Sequence, residues 1–539
     1  MRIIRSAIAG ILLSVSMAAA QSPSLIPRPV SVTTQAGRFT LGPRTVIWAD
    51  RASGSVARQL AGYLEPATGF TLRVQIGGAV PPAAIALRRD AALARLGAEG
   101  YSLTVRPSGV VARAPEAAGL FYAVQTIRQL LPANIMRDAP VSDGDWSMPA
   151  VTIEDRPRFG WRGAHLDSGR HFMPKEFVKK YIDLLALHKL NTFHWHLTDD
   201  QGWRIEIKQY PKLTSVGSCR KETIVGRQPR EQAQWRFDAT PHCGFYTQDD
   251  AREIVAYARA RYVNVVPEIE MPGHAVAAIA AYPELGVTGE PMQVATRWGI
   301  FSDILNAEPA TIAFMQNVLT EVMQIFPGRY IHVGGDEADK AKWKTSPRIQ
   351  ARIKELGAGD EHGLQSWFIR QMDAFLASKG RRLIGWDEIL EGGLAENAVV
   401  MSWRGLEGGI AAARAGHDVV MTPTSHTYLD YYQSKDQAHE PLAIGGFLPL
   451  ETVYSYEPVP AQLESQFAKH VLGAQVQVWT EYMPDPKHVE YMAFPRLTAL
   501  AEVVWSRKEG KDYADFLKRL GAHVQRLQAL DVNFRPLEK

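Results

Sequence analysis

The sequence is poor in cysteine, with only Cys219 and Cys243 among 539 residues. So few thiols exclude a disulfide-dense scaffold, and their number does not suit a structural zinc site. An excess of one charge is also missing: 60 Lys+Arg face 57 Asp+Glu, for a net charge of +3. That balance argues against electrostatic capture of nucleic acid, which needs a dense basic surface. Long apolar runs are absent too. The early stretch Ile8 to Met17 is shorter than the roughly 20 residues that span a bilayer, and no later segment is long enough. No membrane span is expected.

That early stretch has a second reading. Arg2 and Arg5 form a basic start, and Ala18-Ala19-Ala20 offers a small-residue cleavage site before Gln21. Residues 1–20 are therefore expected to be a signal peptide and the mature protein to be exported, periplasmic or secreted. Its removal takes two arginines and leaves 58 Lys+Arg against 57 Asp+Glu. Export favours a Cys219–Cys243 disulfide, with two free thiols as the alternative.

The remaining length allows about two to four domains. Residues 22–155 read as a separate α+β domain. Short strands such as Thr45 to Trp48, Leu72 to Ile76 and Tyr101 to Val105 alternate with Gly/Pro turns, and Arg51 to Leu64 and Ala117 to Leu131 have helical periodicity. The stretch 132–150, rich in Pro, Asp and Ser, reads as a linker. From about 160 apolar strands alternate with helical stretches. The strands are Gly163–Asp167, Asn191–Leu197, Tyr262–Ile269, Tyr330–Gly335, Arg382–Trp386, Val399–Trp403, Asp418–Thr422 and Leu472–Trp479. This pattern predicts an α/β fold, a (β/α)8 TIM barrel over 156–509, with a doubly wound open sheet as the alternative. Residues 510–539 are expected to be a helical segment packed on the barrel.

Polar and aromatic residues gather after these strands. Arg170 and His171 follow the first, Asp199 and Asp200 the second, His274 the third, Asp336-Glu337 the fourth, Asp387-Glu388 the fifth, Arg404 the sixth and Glu481 the eighth. In a parallel barrel those ends share one face, the catalytic one. A lone Trp is usually core, and an acidic pair is usually a solvated loop. Tryptophans beside carboxylates at a strand-end rim make a poor core and a good sugar pocket, because indole faces pack on the C–H faces of a pyranose. Asp336 and Glu337, adjacent at the end of an apolar run, are expected to face opposite ways and to do different jobs.

Four motifs carry a resemblance: Gly163-Ala164-His165-Leu166-Asp167-Ser168-Gly169-Arg170-His171, Phe193-His194-Trp195-His196-Leu197-Thr198-Asp199-Asp200-Gln201, Pro267-Glu268-Ile269-Glu270-Met271-Pro272-Gly273-His274 and His332-Val333-Gly334-Gly335-Asp336-Glu337. Together with Gly385-Trp386-Asp387-Glu388, Ser402-Trp403-Arg404-Gly405, Tyr428-Leu429-Asp430 and Trp479-Thr480-Glu481 they resemble the signature set of family 20 glycoside hydrolases, exo-acting β-N-acetylhexosaminidases. Leu25 to Pro29 and Gly119 to Leu131 resemble that family's small N-terminal domain. The resemblance implies roles. Glu337 is the general acid, and Asp336 orients the substrate's own 2-acetamido group, which attacks to give an oxazolinium intermediate. Asp199 and His274 support Glu337, whose pKa is expected to be raised. Tyr428 bonds the acetamido oxygen. Arg170, Asp430 and Glu481 bind sugar hydroxyls, and Trp386, Trp403 and Trp479 wall the pocket. The resemblance requires no metal and no cofactor, and the partners it implies are N-acetylhexosamine-terminated glycans. The segment 205–246 is expected on the leaving-group side. Rival readings are a lacto-N-biosidase-like relative, a glycosidase acting on sugars without an acetamido group, and a catalytically dead carbohydrate-binding protein.

Overall fold

In a computed structural model that describes residues 22–537, the chain forms a mixed-sheet domain followed by a closed barrel. The expected signal peptide lies outside the described residues. The first domain is a seven-stranded sheet in the order Ser31–Thr40, Ser147–Asp155, Tyr101–Arg106, Gly109–Ala114, Ile85–Arg89, Val46–Ala49 and Arg73–Ile76. The first three contacts in that order are antiparallel and the last three parallel. Helices Gly54–Thr68 and Ala117–Leu130 belong to this domain. The second buries nearly every side chain, from Leu120 to Leu130. The stretch read as a linker is corrected at its end. Ser147–Asp155 pairs with a strand on each side, and its alternating apolar residues Met148, Val151 and Ile153 are wholly buried.

The barrel has eight parallel strands: β1 (Trp161–Asp167), β2 (Thr192–His196), β3 (Asn264–Glu268), β4 (Tyr330–His332), β5 (Arg382–Trp386), β6 (Val399–Ser402), β7 (Val419–Met421) and β8 (Val471–Val476). Each pairs with its neighbours in sequence, and β8 closes on β1 through Gly473↔Trp161 to Val476↔Ala164. Inward-facing apolar side chains form their own cluster, including Trp161, Val266, Ile384, Met401 and Val420. Trp386, Tyr428 and Trp479 continue this cluster, so the top of the packed interior is also the aromatic floor of the catalytic face.

The two domains are joined by buried ions. Lys189, 1% exposed, places Nζ 2.8 Å from Asp155 Oδ2 and 2.9 Å from the Tyr101 hydroxyl. The Arg162 guanidinium, fully buried, donates to both oxygens of Glu99 at 2.7 and 2.9 Å. The terminal helix Tyr513–Ala529 bridges both domains instead of resting on the barrel alone. Arg519 meets Glu502 of the barrel at 2.6 Å and the Leu25 carbonyl at 2.9 Å, and Arg526 donates to the Gln129 carbonyl at 2.7 Å. Burying these guanidinia requires acceptors from both sides.

Candidate active site

Strand β4 ends at His332, ahead of the two acids. Gly334 and Gly335 then turn the chain with φ of +67° and +94°. A Cβ on Gly334 would lie 1.7 Å from Glu270 Oε2, so a side chain has no room there. Glu337 itself adopts φ +46°, a left-handed conformation costing a non-glycine residue about 1–3 kcal/mol. The expectation that strand pleat separates the acids is thus corrected: a glycine-led turn does it. The outcome is still asymmetric. The Asp336 side chain is 11% exposed and that of Glu337 is 33% exposed.

His274, also left-handed at φ +47°, links the acids. Its Nε2 lies 3.6 Å from Asp336 Oδ2 and 3.4 Å from Glu337 Oε2. Its Nδ1 lies 3.0 Å from Asp200 Oδ2 and 3.5 Å from Asp199 Oδ1. Carboxylates thus flank both ring nitrogens. Burial works against a charged ring, but Asp199 and Asp336 prevail and hold His274 well above the usual histidine range. Within the groupings Asp199-Asp200-His274 and His274-Asp336-Glu337 the histidine nitrogens and carboxylate oxygens lie within 4.8 Å of one another. Asp200, given no role from the sequence, makes the shorter contact to His274. Asp199 also faces Arg170, whose Nε lies 2.9 Å from its Oδ2.

The acids respond in opposite directions. Burial, helped by the charges of Glu337 and Glu268 and opposed by His274, pushes Asp336 up to about 6. For Glu337 burial also acts upward, but His274 and Arg170 outweigh it and the carboxyl lies below its ordinary value. The expected raised pKa of Glu337 is therefore not found in the free protein. The reason is that His274, expected beside Glu337, together with Arg170 pulls the carboxyl down more than burial lifts it.

The walls are aromatic. Trp386 and Trp479 have ring centroids 5.8 Å apart, and Trp403 stacks with Tyr428 at 6.1 Å. Carboxylates hold two of these indoles: Trp403 Nε1 donates to Glu388 at 2.9 Å and Trp386 Nε1 to Glu268 at 2.8 Å. Burial pushes Glu388 up to about 8. The Arg170 guanidinium sits 4.9 Å over the Trp479 ring. Asp430 is buried and pushed well up, first by burial and then by Glu481; its Oδ1 has no protein partner. Glu481 is likewise raised by burial, against the pull of Arg170. All eleven candidate residues therefore come from the strand-end face or its loops, and charge contacts or stacked rings link them.

Cys219 and Cys243 are disulfide-bonded across a two-stranded ribbon. The ribbon backs the arm carrying Arg170. Arg220 donates to the Arg170 carbonyl at 2.5 Å, and the Phe172 N–H donates to His242 at 2.9 Å. A cleft of about 290 Å³ beside Glu481 is lined by His171, His242, Trp298 and Tyr482. The segment 205–246 thus packs on the Arg170–Glu481 side.

Residues 159–508 match glycosyl hydrolase family 20, catalytic domain, and residues 22–156 match glycosyl hydrolase family 20, domain 2. The chain belongs to glycosyl hydrolase family 20. Among its relatives is a beta-hexosaminidase of Porphyromonas gingivalis, 45% identical over 95% of this chain; the chain spans 64% of that relative's length. The family 20 beta-N-acetylhexosaminidase from Streptomyces coelicolor A3(2) superposes with a TM-score of 0.83 at 34% identity, covering 96% of this chain and 99% of that one. A mutant Streptomyces plicatus beta-hexosaminidase in complex with product GlcNAc superposes equally, at 0.83 and 33% identity, covering 96% and 98%. This family 20 barrel also contains residues that sequence reasoning left without roles: Asp200, Glu268 and Glu388. Each lies in a motif already singled out, Asp200 next to Asp199, Glu388 two residues from Trp386 and Glu268 six residues before His274, and only geometry shows what it holds.

Proposed function

We propose that this chain is an exo-acting, retaining β-N-acetylhexosaminidase that removes terminal non-reducing GlcNAc or GalNAc by substrate-assisted catalysis. The carrying observation is the Asp336-Glu337 pair, joined by His274 on the strand-end face that also carries the paired indoles of Trp386 and Trp479. The acid oxygens and His274 Nε2 lie within 4.8 Å of one another. They form one edge, unlike the two carboxylates that flank the sugar across about 5–5.5 Å in common retaining enzymes. That arrangement suits a nucleophile carried by the substrate, a scheme for which family 20 is a recognised exception.

In this reading Glu337 hands its proton to the glycosidic oxygen. The acetamido oxygen attacks the anomeric carbon, and Asp336 accepts the acetamido N–H and offsets the growing positive charge. Tyr428 bonds the acetamido oxygen. Water, activated by Glu337 as base, then opens the oxazolinium ring with overall retention. Holding the nucleophile inside the substrate supplies effective molarity worth up to about 7–11 kcal/mol. A sugar in the pocket covers the exposed third of Glu337, strengthening burial and raising its proton affinity for the acid step. Arg170, Asp430 and Glu481 take sugar hydroxyls, and Trp386, Trp403 and Trp479 the ring. The GlcNAc complex of the Streptomyces plicatus relative supports an N-acetylhexosamine in this pocket. Export is part of the proposal, supported by the basic and apolar start of the sequence and by the disulfide.

The test compares rates on aryl N-acetylglucosaminide, N-acetylgalactosaminide, aryl glucoside and chitooligosaccharides. Cleavage of acetamido substrates alone, with strong inhibition by a thiazoline mimic of the intermediate, is expected. Equal cleavage of the plain glucoside removes the acetamido group from the mechanism.

A further inference from the structure

Below the aromatic floor lies a chain of buried polar groups that touches no substrate, and its connectivity fixes where the protons sit. Trp161 Nε1–H can only donate, and it meets Gln475 Oε1 at 3.1 Å. The Gln475 amide nitrogen therefore faces His194 Nδ1 at 2.9 Å, which must accept. His194 then carries its proton on Nε2, 3.0 Å from Glu268 Oε2. The other Glu268 oxygen accepts from Trp386 Nε1 at 2.8 Å. His332 Nδ1 lies 2.8 Å from that oxygen and accepts the Gly334 N–H at 3.1 Å. Gln475, His194, His332 and Glu268 are 0% exposed and Trp386 is 1% exposed, so bulk solvent does not reach these partners. His165, His194 and Glu268 also bring ligand-type atoms within 4.8 Å of one another. Glu268 Oε2, His194 Nε2 and His165 Nε2 have no aligned hydrogen-bond partner, so the aligned bond that Glu268 makes is the one to Trp386.

One Glu268 oxygen thus accepts the Trp386 indole N–H, and the other lies 3.0 Å from the proton-bearing Nε2 of His194. An ionised carboxylate satisfies that arrangement; a carboxamide does not, because its NH2 opposes a donor whichever way it turns. Trp161 orients the whole chain of bonds, so flipping His194 only moves the clash to Gln475. We propose that Glu268 is a positioning residue of the sugar pocket: from inside the barrel its carboxylate pins the indole of Trp386 and so fixes the wall against which the acetamido sugar is held. This rests on the N-acetylhexosaminidase reading. Trp386 packs between His332 at 4.9 Å and Trp479 at 5.8 Å, so a loosened indole would shift two neighbours at once. A displacement of about 1 Å at a positioning group can cost about 10²-fold in rate.

The test is a double-mutant cycle on kcat/KM for an aryl N-acetylglucosaminide, with Glu268→Gln and Trp386→Phe, which keeps an aromatic ring and removes the indole donor. If Glu268 acts through that indole, Glu268→Gln costs about 10²-fold in the native background but only a few-fold beside Trp386→Phe. Equal factors in both backgrounds overturn the proposal, since a general structural role would act in each. A second measurement needs no folded Glu268 variant. In native protein labelled with 15N-tryptophan, the Trp386 indole proton, assigned by its loss in Trp386→Phe, should exchange slowly with solvent; fast exchange overturns the clamp. Wild-type protein inactive on N-acetylhexosaminides would sink the functional reading, while the exchange measurement still decides the clamp.

Discussion

His274→Asn isolates the electrostatics of the paired acids. The asparagine amide can still donate to Asp200, so the change mainly removes a positive charge. That charge sits 3.6 Å from Asp336 Oδ2 and 3.4 Å from Glu337 Oε2. At an effective dielectric of about 20, unit charges this far apart interact by about 4–5 kcal/mol, which at about 1.4 kcal/mol per pKa unit is a ceiling of about 3 units. The exposed third of Glu337 admits water and reduces this, so a rise of about 1–2 units is expected. The sign follows from the mechanism. The mechanism uses Asp336 as a carboxylate, and that form appears as pH rises through its value of about 6. The kcat/KM profile should therefore fall on the acid side of about 6. A cation favours ionised carboxylates, so losing it raises both pKa values and moves the fall to higher pH, with a lower plateau because Glu337 loses its support. The assay is kcat/KM against pH for an aryl N-acetylglucosaminide at fixed ionic strength, with thermal melts to confirm folding. A limb that stays in place, or moves to lower pH, refutes the coupling.

Glu337→Gln should nearly abolish cleavage of substrates with poor leaving groups while sparing activated aryl glycosides more, by a difference of about 10²-fold or greater; equal losses on both would remove the general acid from Glu337. Reducing the Cys219–Cys243 bridge, which closes a segment with a sequence separation of 24, should lower stability by about 3 kcal/mol. Melts with and without reductant, beside the double serine variant, measure this, and an unchanged midpoint would show that the ribbon is held by other contacts. Lys189→Met should cost about 3–5 kcal/mol in urea unfolding by leaving Asp155 without its cation. A loss under about 1 kcal/mol would mean that the junction does not depend on that pair.

Much of the architecture was legible because barrel strands are short, apolar and bounded by turns. All eight expected strands overlap observed ones, and β5 agrees at both ends, Arg382 and Trp386. The stretch between β7 and β8 was harder to place. It carries only short helices, Thr424–Thr427 and Leu450–Ser455, instead of one long crossover. Ser147–Asp155 was missed in part because Pro149 and a polar lead-in mask its alternation. In the site, residue identity was readable at strand ends and the resemblance paired Asp199 and His274 with Glu337, but the other partnerships were not readable. Nothing local distinguishes Asp199 from Asp200, yet one faces Arg170 and the other lies closest to His274. The proton affinity of Glu337 had the expected burial but not the expected sign, because it depends on a histidine 63 positions earlier in the chain.

The seam between the two domains limits how this protein can be divided. Cutting at the end of Ser147–Asp155 would leave the barrel with Lys189 and Arg162 aimed at a surface stripped of Asp155 and Glu99. Two cations without their counterions would then lie beside the bared ring of Trp505, which Lys189 Nζ approaches to 4.6 Å. A minimal catalytic fragment should therefore be insoluble or unfolded even though it keeps every pocket residue. The small leading domain acts as a counterion and cover for the underside of the enzyme, and any shortened version must supply both.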